Sequence, residues 1–451
     1  MFKKTFVYLQ SQTKKKYTAT MATLQQIFSN TKLTENGDIA YSSTGNHLLD
    51  LLFMTEYFQR HLGEVYIGNS DKEKLFSMFV RDPRYGLGRR DLGRQLMLLS
   101  GVDFNEMVKA GRYDDIFFKP GWEDFLASEI SKGNELAKKW APRYSSKHLM
   151  LARQFANHLG LNKQQYGKFV KAKTVERCLS QKNTGIINFE HVPSLAMIKY
   201  HSRFMRGNDT SKRFQAYLDA VRNGEKKLNV STTSVYDIYR NRTKIDADLF
   251  FDKIEKIAIN CVPIVDSSGS MNNKNDSYGK AMAIGHYLAK CSTYAPNQVV
   301  SFSSRPQLIT LGYPVRDRFG VYNFRSNYER EIASMYTGDC SNTDFGAVMR
   351  LFENLTDVPE YLVVLSDMEF DMGSKMSKDQ LRNLWAQKGY KTKIVWWNLN
   401  ERSTTTPEID AEGNIFMSGY NPMLLKFLEA GFDGQKFLDK LLDEYEKKIS
   451  E

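Results

Sequence analysis

Cysteine and proline are scarce in this chain of 451 residues. The four cysteines have no CxxC or similar spacing, so neither a disulfide framework nor a zinc site is expected, and reduced thiols in the cytoplasm are the simplest interpretation. There are only 11 prolines and no low-complexity tract, which argues against wholesale disorder. With 41% hydrophobic residues, the chain is long enough to fold as two or three domains with cores of their own.

Long apolar segments are missing as well. No apolar run approaches the roughly 20 residues that a membrane-spanning helix needs. Lysines occur near the N-terminus, but no continuous apolar stretch follows them, so no signal peptide is expected. These two absences favour a cytoplasmic protein without a membrane partner.

Motifs of the common hydrolases are also absent. The chain contains no GxxxxGK[ST] loop, no HExxH among its seven histidines and no GxSxG around Ser268. Asp367 and Glu369 could form an acid/base pair, and so could Asp114 and Asp115, but a metal loop explains Asp367 better. A two-metal nuclease site needs more carboxylates than this set offers. The sequence therefore predicts a protein that is not an enzyme and has no catalytic residues.

Charge is distributed unevenly along the chain, whose net charge is +11. Residues 1–250 contain 40 lysines and arginines against 25 acidic residues, whereas residues 251–451 contain 23 against 27. A basic half joined to a mildly acidic half indicates that a polyanion would bind the first half. A solvated surface rich in lysine would give the same counts.

The hydrophobic periodicity changes near residue 250 and predicts two domains, 1–250 and 251–451. The first half has helical periodicity between short polar loops, which predicts an all-helical module. No repeat of fixed length is visible, so a degenerate α-solenoid is a hypothesis. The predicted helices are 46–61, 73–80, 91–99, 122–136, 147–159, 163–178, 194–205 and 212–221.

Strands and helices alternate after residue 250. This alternation predicts a doubly wound, mainly parallel sheet with helices on both faces, so the fold class is α followed by α/β. The predicted strands are 254–265, 298–302, 307–311, 361–365, 392–399 and 413–417. The predicted helices are 278–291, 328–335, 345–355 and 378–387, with two further helical stretches that close the chain.

A polar turn follows the first predicted strand of the second half. Its sequence, DSSGS, places one carboxylate and two hydroxyls at alternate positions, on Asp266, Ser268 and Ser270. Hard oxygen donors that converge at a strand end suit a hard cation such as Mg²⁺. A DxSxS turn alone is weak support, because short turns rich in serine and glycine are common.

Two later stretches extend this pattern. Thr343 stands at the entrance to a predicted helix, and Asp367 ends a second buried strand. Together with the DxSxS turn, they resemble the metal-ion-dependent adhesion site (MIDAS) of von Willebrand factor A domains. The resemblance implies one Mg²⁺, or another divalent cation, held by Asp266, Ser268, Ser270, Thr343 and Asp367. It also implies an open coordination position that takes a carboxylate from a protein partner.

Several short phrases carry a second resemblance. They are VRDPRYGLGR (80–89), AGRYDD (110–115), KWAP (139–142), FEHVPSLA (189–196), WWNL (396–399) and SG (418–419). In this order they resemble a family from plants, large viruses and phages that pairs a helical TROVE-like module, as in Ro autoantigen proteins, with a C-terminal von Willebrand A domain. The resemblance implies a module of HEAT-like helix pairs that binds single-stranded RNA ends and small structured RNAs, and hence a ribonucleoprotein component.

The residues of the first half give their own indication of RNA binding. Residues 151–213 contain 12 lysines and arginines and only three acidic residues. Basic side chains displace counterions from phosphates, and aromatic rings between them can stack on unpaired bases. The predicted RNA-binding residues are Lys168, Lys171, Lys173, Arg177, Lys199, Arg203 and Arg206, of which the first four are expected near one helical face. Tyr200 and Phe204 are better explained as core residues.

A second arginine cluster lies between residues 81 and 94. Because Asp82 and Asp91 are interspersed with the arginines, internal ion pairs and nucleic-acid contacts are equally good interpretations.

The sequence thus favours an RNA-binding ribonucleoprotein component, in which a Mg²⁺-bearing von Willebrand A domain recruits a protein partner. The alternative is a metal-dependent protein-interaction or structural protein, for example of a phage particle, that does not bind RNA.

Overall fold

The computed structural model describes residues 46–145, 148–172, 174–230, 233–302, 305–312, 316–317, 320–321, 324–337, 345–352, 357–367, 385, 387–400, 408–409, 414–420, 427 and 434–450. Contacts divide them into two compact units. The sheet unit is the described part of Met1–Arg60 and of Ser234–Phe437. The helical unit is the described part of His61–Thr233 and of Leu438–Glu451. Packing therefore divides the chain differently from the predicted boundary at residue 250.

Short α-helices build the helical unit. Two helices precede it in the sequence and belong to the sheet unit, α1 (His47–Phe53) and α2 (Thr55–Arg60). The helices of the helical unit are α3 (Asp71–Arg81), α4 (Arg90–Leu99), α5 (Phe104–Ala110), α6 (Trp122–Ser131), α7 (Glu135–Trp140), α8 (Leu149–His158), α9 (Lys163–Phe169), α10 (Val175–Ser180), α11 (Ser194–Phe204) and α12 (Asn208–Arg222).

Polar caps define where several of these helices begin. The Ser70 hydroxyl accepts from the Glu73 N–H, and the Glu73 carboxylate accepts from the Ser70 N–H. Asp103 with Glu106 forms the same reciprocal cap at the start of α5. Such caps satisfy the first amide groups of a helix, which have no partner within it. Local sequence therefore specifies these helix starts.

The segment 163–178 contains two helices, whereas the periodicity predicts one. Val170 and Ala172 follow α9 and are both buried. The Thr174 hydroxyl then accepts a hydrogen bond from the Arg177 N–H at 3.2 Å and caps α10. Two residues of the connector between these helices are held in the core, so the prediction of one continuous helix over 163–178 is wrong.

The described strands are β1 (Cys261–Asp266), β2 (Gln298–Phe302), β3 (Gln307–Thr310), β4 (Arg316–Asp317), β5 (Gly320–Val321), β6 (Tyr361–Ser366), β7 (Lys393–Asn398), β8 (Glu408–Ile409) and β9 (Ile415–Ser418). Among the described residues, seven of them form one sheet, with the neighbour order β3-β2-β1-β6-β7-β9-β8. The pairs that join β2, β1, β6, β7 and β9 are parallel, and the two edge strands β3 and β8 are antiparallel to their neighbours. β4 and β5 pair separately.

Helices cover both faces of this sheet. They are α13 (Val235–Asn241), α14 (Ala247–Lys253), α15 (Ser277–Cys291), α16 (Asn327–Ser334) and α17 (Phe345–Arg350). On one face, Val262 and Ile264 of β1 join a core with Val348 of α17. On the other face, a Cβ on Gly285 of α15 would lie 2.4 Å from Cγ2 of Val265. Alternate residues of one strand therefore contact different helical layers, as in a doubly wound sheet.

The last helix, α18 (Gly434–Ser450), brings its residues from Leu438 onward into the helical unit. Tyr445 is buried there, and its ring meets the Phe79 ring edge-on, with 5.4 Å between centroids. The Tyr445 hydroxyl donates to Oδ2 of Asp82 at 3.2 Å. Residues near the end of the sequence thus complete a core that begins at α3.

The predicted fold class is confirmed, since a helical region is followed by a mainly parallel sheet with helices on both faces. β1 begins at Cys261, later than the predicted residue 254. The residues before β1 instead follow the end of α14, where Lys256 Nζ donates to the Phe251 carbonyl at 2.9 Å. No helix in the described ranges is long and apolar enough to cross a membrane.

Candidate metal centre and nucleic-acid interface

The carboxyl ends of β1 and β6 lie side by side in the sheet unit. β2 lies on one side of β1 and β6 on the other, so the chain order reverses at β1. This is the place where open α/β sheets bind ligands. The register pairs Val265 with Leu365, which brings Asp266 and Ser366 next to each other. The Ser366 hydroxyl donates to Oδ2 of Asp266 at 2.6 Å.

The predicted metal ligands of the DxSxS turn converge with Asp367. Oδ1 of Asp266 accepts from the Ser268 N–H at 2.8 Å. The hydroxyls of Ser268 and Ser270 are 3.1 Å apart, and the Ser270 hydroxyl donates to Oδ1 of Asp367 at 3.3 Å. Four of the five predicted ligands therefore form one connected cluster. The fifth, Thr343, lies outside the described residues.

The two carboxylates of this cluster are buried and repel each other. Asp266 is fully buried and Asp367 is only 4% exposed. Burial raises the pKa of Asp266, and the negative charge of Asp367 raises it further, whereas hydrogen bonds from Ser366 and Ser268 lower it. In the part of the chain that the structure describes, no lysine, arginine or histidine forms an ion pair with Asp266. A bound cation would offset the repulsion between the two carboxylates.

The donor set fits a hard divalent cation. It consists of two carboxylates and two hydroxyls, which are ligands that Mg²⁺ and Ca²⁺ prefer over sulfur or nitrogen. Within the described ranges, no group of three or more histidine, cysteine, aspartate or glutamate side chains could hold a metal ion. A cation here would therefore depend on the serine hydroxyls as well as on Asp266 and Asp367.

Residues around the turn were missed by the sequence analysis. Asn273 Nδ2 donates to the Ser270 carbonyl at 3.4 Å and to the Ser277 hydroxyl at 2.9 Å. The Ser277 hydroxyl also donates to the carbonyl of Leu399, the residue directly after β7. Asn273 thus joins the turn to the first residue of α15. Asn273 lies only three residues after Ser270, but no spacing rule identifies it as a residue that holds the turn in place.

The predicted RNA-binding residues of the first cluster have different surroundings. Lys168 on α9 and Lys171 in the connector are exposed, and Arg177 on α10 is half-buried. Lys173 lies outside the described residues. Lys168 and Lys171 form no ion pair with a carboxylate among the described residues. Exposed, unmatched cations of this kind are available to phosphates.

Two cations of the second predicted cluster lie near one aromatic ring on α11. Lys199 Nζ lies 5.2 Å from the Tyr200 ring centroid, and the Arg203 guanidinium lies 5.9 Å from it. Both cations are exposed, as is Arg206. Phe204 is fully buried, so the interpretation of this residue as core is correct, whereas Tyr200 is only half-buried.

The arginines between residues 81 and 94 make mainly internal ion pairs. Asp115 is fully buried and accepts from Arg81 Nε at 2.9 Å and from Arg94 Nε at 3.1 Å. A Cβ on Gly93 would lie 2.5 Å from Cα of Arg81, which requires glycine at this close approach. Of the two interpretations left open for this cluster, the structure favours internal ion pairs for Arg81 and Arg94.

Comparison with known proteins gives matches of modest extent. Residues 260–450 match the model of a domain of unknown function (DUF7788), and residues 163–256 match that of another (DUF2828). A relative from Acanthamoeba polyphaga mimivirus, "Uncharacterized protein L728", is 22% identical over 88% of this chain and 84% of its own length. The crystal structure of the Deinococcus radiodurans Ro (RSR) protein is 12% identical and matches 87% of this chain and 96% of that chain. Its TM-score of 0.34 is too low to carry an argument about shared fold or function.

Proposed function

We propose that this protein is a two-part binding protein and not an enzyme. In this proposal, the sheet unit uses a divalent cation, Mg²⁺ in the simplest case, to bind a protein partner, and the helical unit binds RNA. The observation that carries the proposal is the convergence of Asp266, Ser268, Ser270 and Asp367 at the ends of two adjacent parallel strands.

Asp266, Ser268, Ser270 and Asp367 would hold the cation, and Thr343 is proposed as a further ligand from the resemblance to von Willebrand A domains. When bound, the cation would offer an open coordination position that a carboxylate from the partner can fill. The protein's own contribution is rigidity. Ser366 and the Ser268 N–H bond to both oxygens of Asp266 and so orient its carboxylate.

Thermal unfolding of the full chain in EDTA and at increasing Mg²⁺ tests the metal site. We expect the melting temperature to rise with Mg²⁺, because binding to the folded state adds about 2.7 kcal/mol at a hundredfold excess over the dissociation constant. Asp266→Asn should fold and lose this increment, since it removes one charge and keeps the shape of the side chain. Asp357→Asn, at an exposed carboxylate, is the matched control. An equal increment in Asp266→Asn would contradict the proposal.

RNA binding by the helical unit is supported by the exposed cations around Tyr200 and by those on α9 and its connector. Lysine and arginine neutralise phosphates, and a partly exposed tyrosine ring can stack on an unpaired base. The alternative is a metal-dependent interaction or structural protein, for example of a phage particle, without RNA.

Binding of the full chain to a labelled single-stranded RNA across a salt titration separates the two. We expect the affinity to fall steeply with salt. The reversals Lys168→Glu, Lys171→Glu and Arg203→Glu should each weaken binding. An absence of binding at low salt would rule out the RNA part and leave the metal-dependent alternative.

A further inference from the structure

Arg112, in the helical unit, has an unusual environment for an arginine. Its guanidinium lies over the Trp140 ring, 4.5 Å from the centroid, and Lys139 Nζ lies 5.6 Å from the same centroid. The Arg112 backbone N–H donates to Oδ2 of Asp115 at 2.9 Å, which fixes the backbone at the point where the side chain is attached. Over the residues that the structure describes, no group accepts a hydrogen bond from the guanidinium and no carboxylate forms an ion pair with it.

The arginines near Arg112 are already matched by acids. Arg81 and Arg94 pair with Asp115, and Arg90 pairs with Asp114. Burial lowers the pKa of Arg112, the positive charge of Arg81 lowers it further, and Asp114 partly offsets these effects. Arg112 therefore carries a half-buried positive charge that the neighbouring carboxylates do not compensate.

A second arginine lies at the same end of α7. Arg143 Nη2 donates to the Lys138 carbonyl at 2.8 Å, two residues before Trp140. Burial lowers the pKa of Arg143, and the like charge of Arg177 contributes to the same direction. The acid nearest to this end of α7 in sequence, Glu135, pairs with Lys138 at 3.0 Å. Arg143 thus adds a half-buried positive charge at the C-terminal end of α7.

We propose that Arg112, Lys139 and Arg143 form a phosphate-binding subsite for an RNA strand, with Trp140 as the support that orients Arg112. This inference rests on the proposed RNA binding and adds a site that the seven predicted cations do not include. A guanidinium is a planar fork that matches two phosphate oxygens. Contact with an indole ring fixes its plane without using its N–H groups. Arg112 therefore offers its N–H groups in a set orientation.

The test measures binding of the full chain to a labelled single-stranded oligoribonucleotide at several salt concentrations. We expect Arg112→Gln to weaken binding roughly tenfold or more, the effect of losing one charge-assisted contact. The slope of log affinity against log salt should become shallower by about 0.7, because one phosphate contact is lost from a single strand. Arg143→Gln should act in the same direction.

Two further variants make the result specific. Arg222→Gln is the matched control, since Arg222 lies on α12 of the same unit and pairs with Asp219 at the surface. It should change the affinity less than twofold. Arg112→Lys keeps the charge but not the planar fork, so it should retain the salt slope and lose part of the affinity. It also covers the case in which Arg112→Gln fails to fold.

The possible outcomes separate the inference from the proposed function. If the unaltered chain binds RNA and Arg112→Gln and Arg143→Gln bind it equally well, the subsite is wrong and RNA binding elsewhere stands. If Arg222→Gln weakens binding as much as Arg112→Gln, the effect is general charge and the subsite is again wrong. If the unaltered chain does not bind RNA at low salt, the RNA part of the proposed function fails and the subsite fails with it.

Discussion

Two buried charged clusters, one in each unit, differ in how their charges are matched. In the helical unit, the buried carboxylate of Asp115 is surrounded by Arg81 and Arg94 at hydrogen-bond distance. In the sheet unit, the buried carboxylates of Asp266 and Asp367 are linked through the Ser268 N–H and the hydroxyls of Ser268 and Ser270, and they repel each other. The first cluster contains its own countercharge and serves the fold. In the second, the cation proposed above would offset the repulsion between the two carboxylates.

The largest expected effect comes from breaking the self-matched cluster. Asp115→Ala would leave Arg81 buried without its partner, and a buried ion pair that loses one member costs about 3–5 kcal/mol of unfolding free energy. Urea denaturation at neutral pH measures this loss. A change below about 1 kcal/mol would show that Arg81 can find another partner and that the cluster is not structural.

The second effect concerns the support of the proposed metal site. Asn273→Ala removes the hydrogen bonds to the Ser270 carbonyl and to Ser277 but none of the proposed ligands. We expect Mg²⁺ affinity to fall about tenfold, as when other outer supports of metal ligands are lost. The measurement is the melting temperature as a function of Mg²⁺. Asn275→Ala is the control, because Asn275 contacts Oδ1 of Asn273 through its backbone N–H, which this substitution keeps.

Equal Mg²⁺ curves for the Asn273→Ala and Asn275→Ala variants would mean that the turn holds its shape without Asn273. A loss of stability in EDTA as well would instead assign Asn273 a role in the fold.

The charge of one buried histidine is matched to a degree intermediate between the two clusters. His286 on α15 is fully buried, and its Nε2 lies 2.7 Å from Oε2 of Glu331, which also pairs with Lys290. Burial lowers the pKa of His286, although Glu331 opposes this change, and Lys290 and Asp248 act with smaller and opposite effects. The folded state therefore binds fewer protons than the unfolded state below pH about 6.5.

The stability that follows from this shift is complete above the unfolded pKa of about 6.5 and is lost as the pH falls through the lower folded pKa. We expect the free energy of unfolding to fall by on the order of 1 kcal/mol through this group between pH 7.5 and pH 5.5. His286→Gln keeps a donor toward Glu331 and should flatten the pH profile. An unchanged profile would show that other groups cause the acid sensitivity.

The smallest effect is expected for a surface pair. Lys132 is 68% exposed and pairs with Glu129 at 2.8 Å, and this contact lowers the pKa of Glu129 against the opposing effect of burial. Lys132→Gln should cost at most about 0.5 kcal/mol, because solvent screens exposed ion pairs. Urea denaturation beside Asp115→Ala gives the contrast directly. A loss above about 1.5 kcal/mol would remove the distinction between surface and buried pairs.

The sequence alone was enough to predict features whose residues lie close together along the chain. Asp266, Ser268 and Ser270 lie in one turn, and Asp367 directly follows a strand that its apolar pattern predicts. Each could be assigned to the end of a parallel strand, and the pairing of β1 with β6 then brings them together. The helix starts at Ser70 and its equivalents are likewise local.

The sequence was insufficient where tertiary contacts decide. The break after Phe169 has no glycine or proline, and the burial of Val170 and Ala172 explains it. The pairing of Tyr445 with Asp82 joins residues that are 363 positions apart, and no periodicity reports it. Arg112 was overlooked because its neighbour Trp140 is distant in sequence, and a cation contact with an aromatic ring leaves no pattern along the chain.

The placement of Tyr445 has a consequence for biosynthesis. The ribosome delivers the N-terminal part of a chain first, and domains commonly fold in that order. Here the core around Phe79 receives Tyr445 only after Ser234–Phe437 has been synthesised. The helical unit is therefore the one whose residues are completed last. A nascent chain stalled before Leu438 would expose the Phe79 surface to chaperones, and the sheet unit would be the first unit to have all its described residues available.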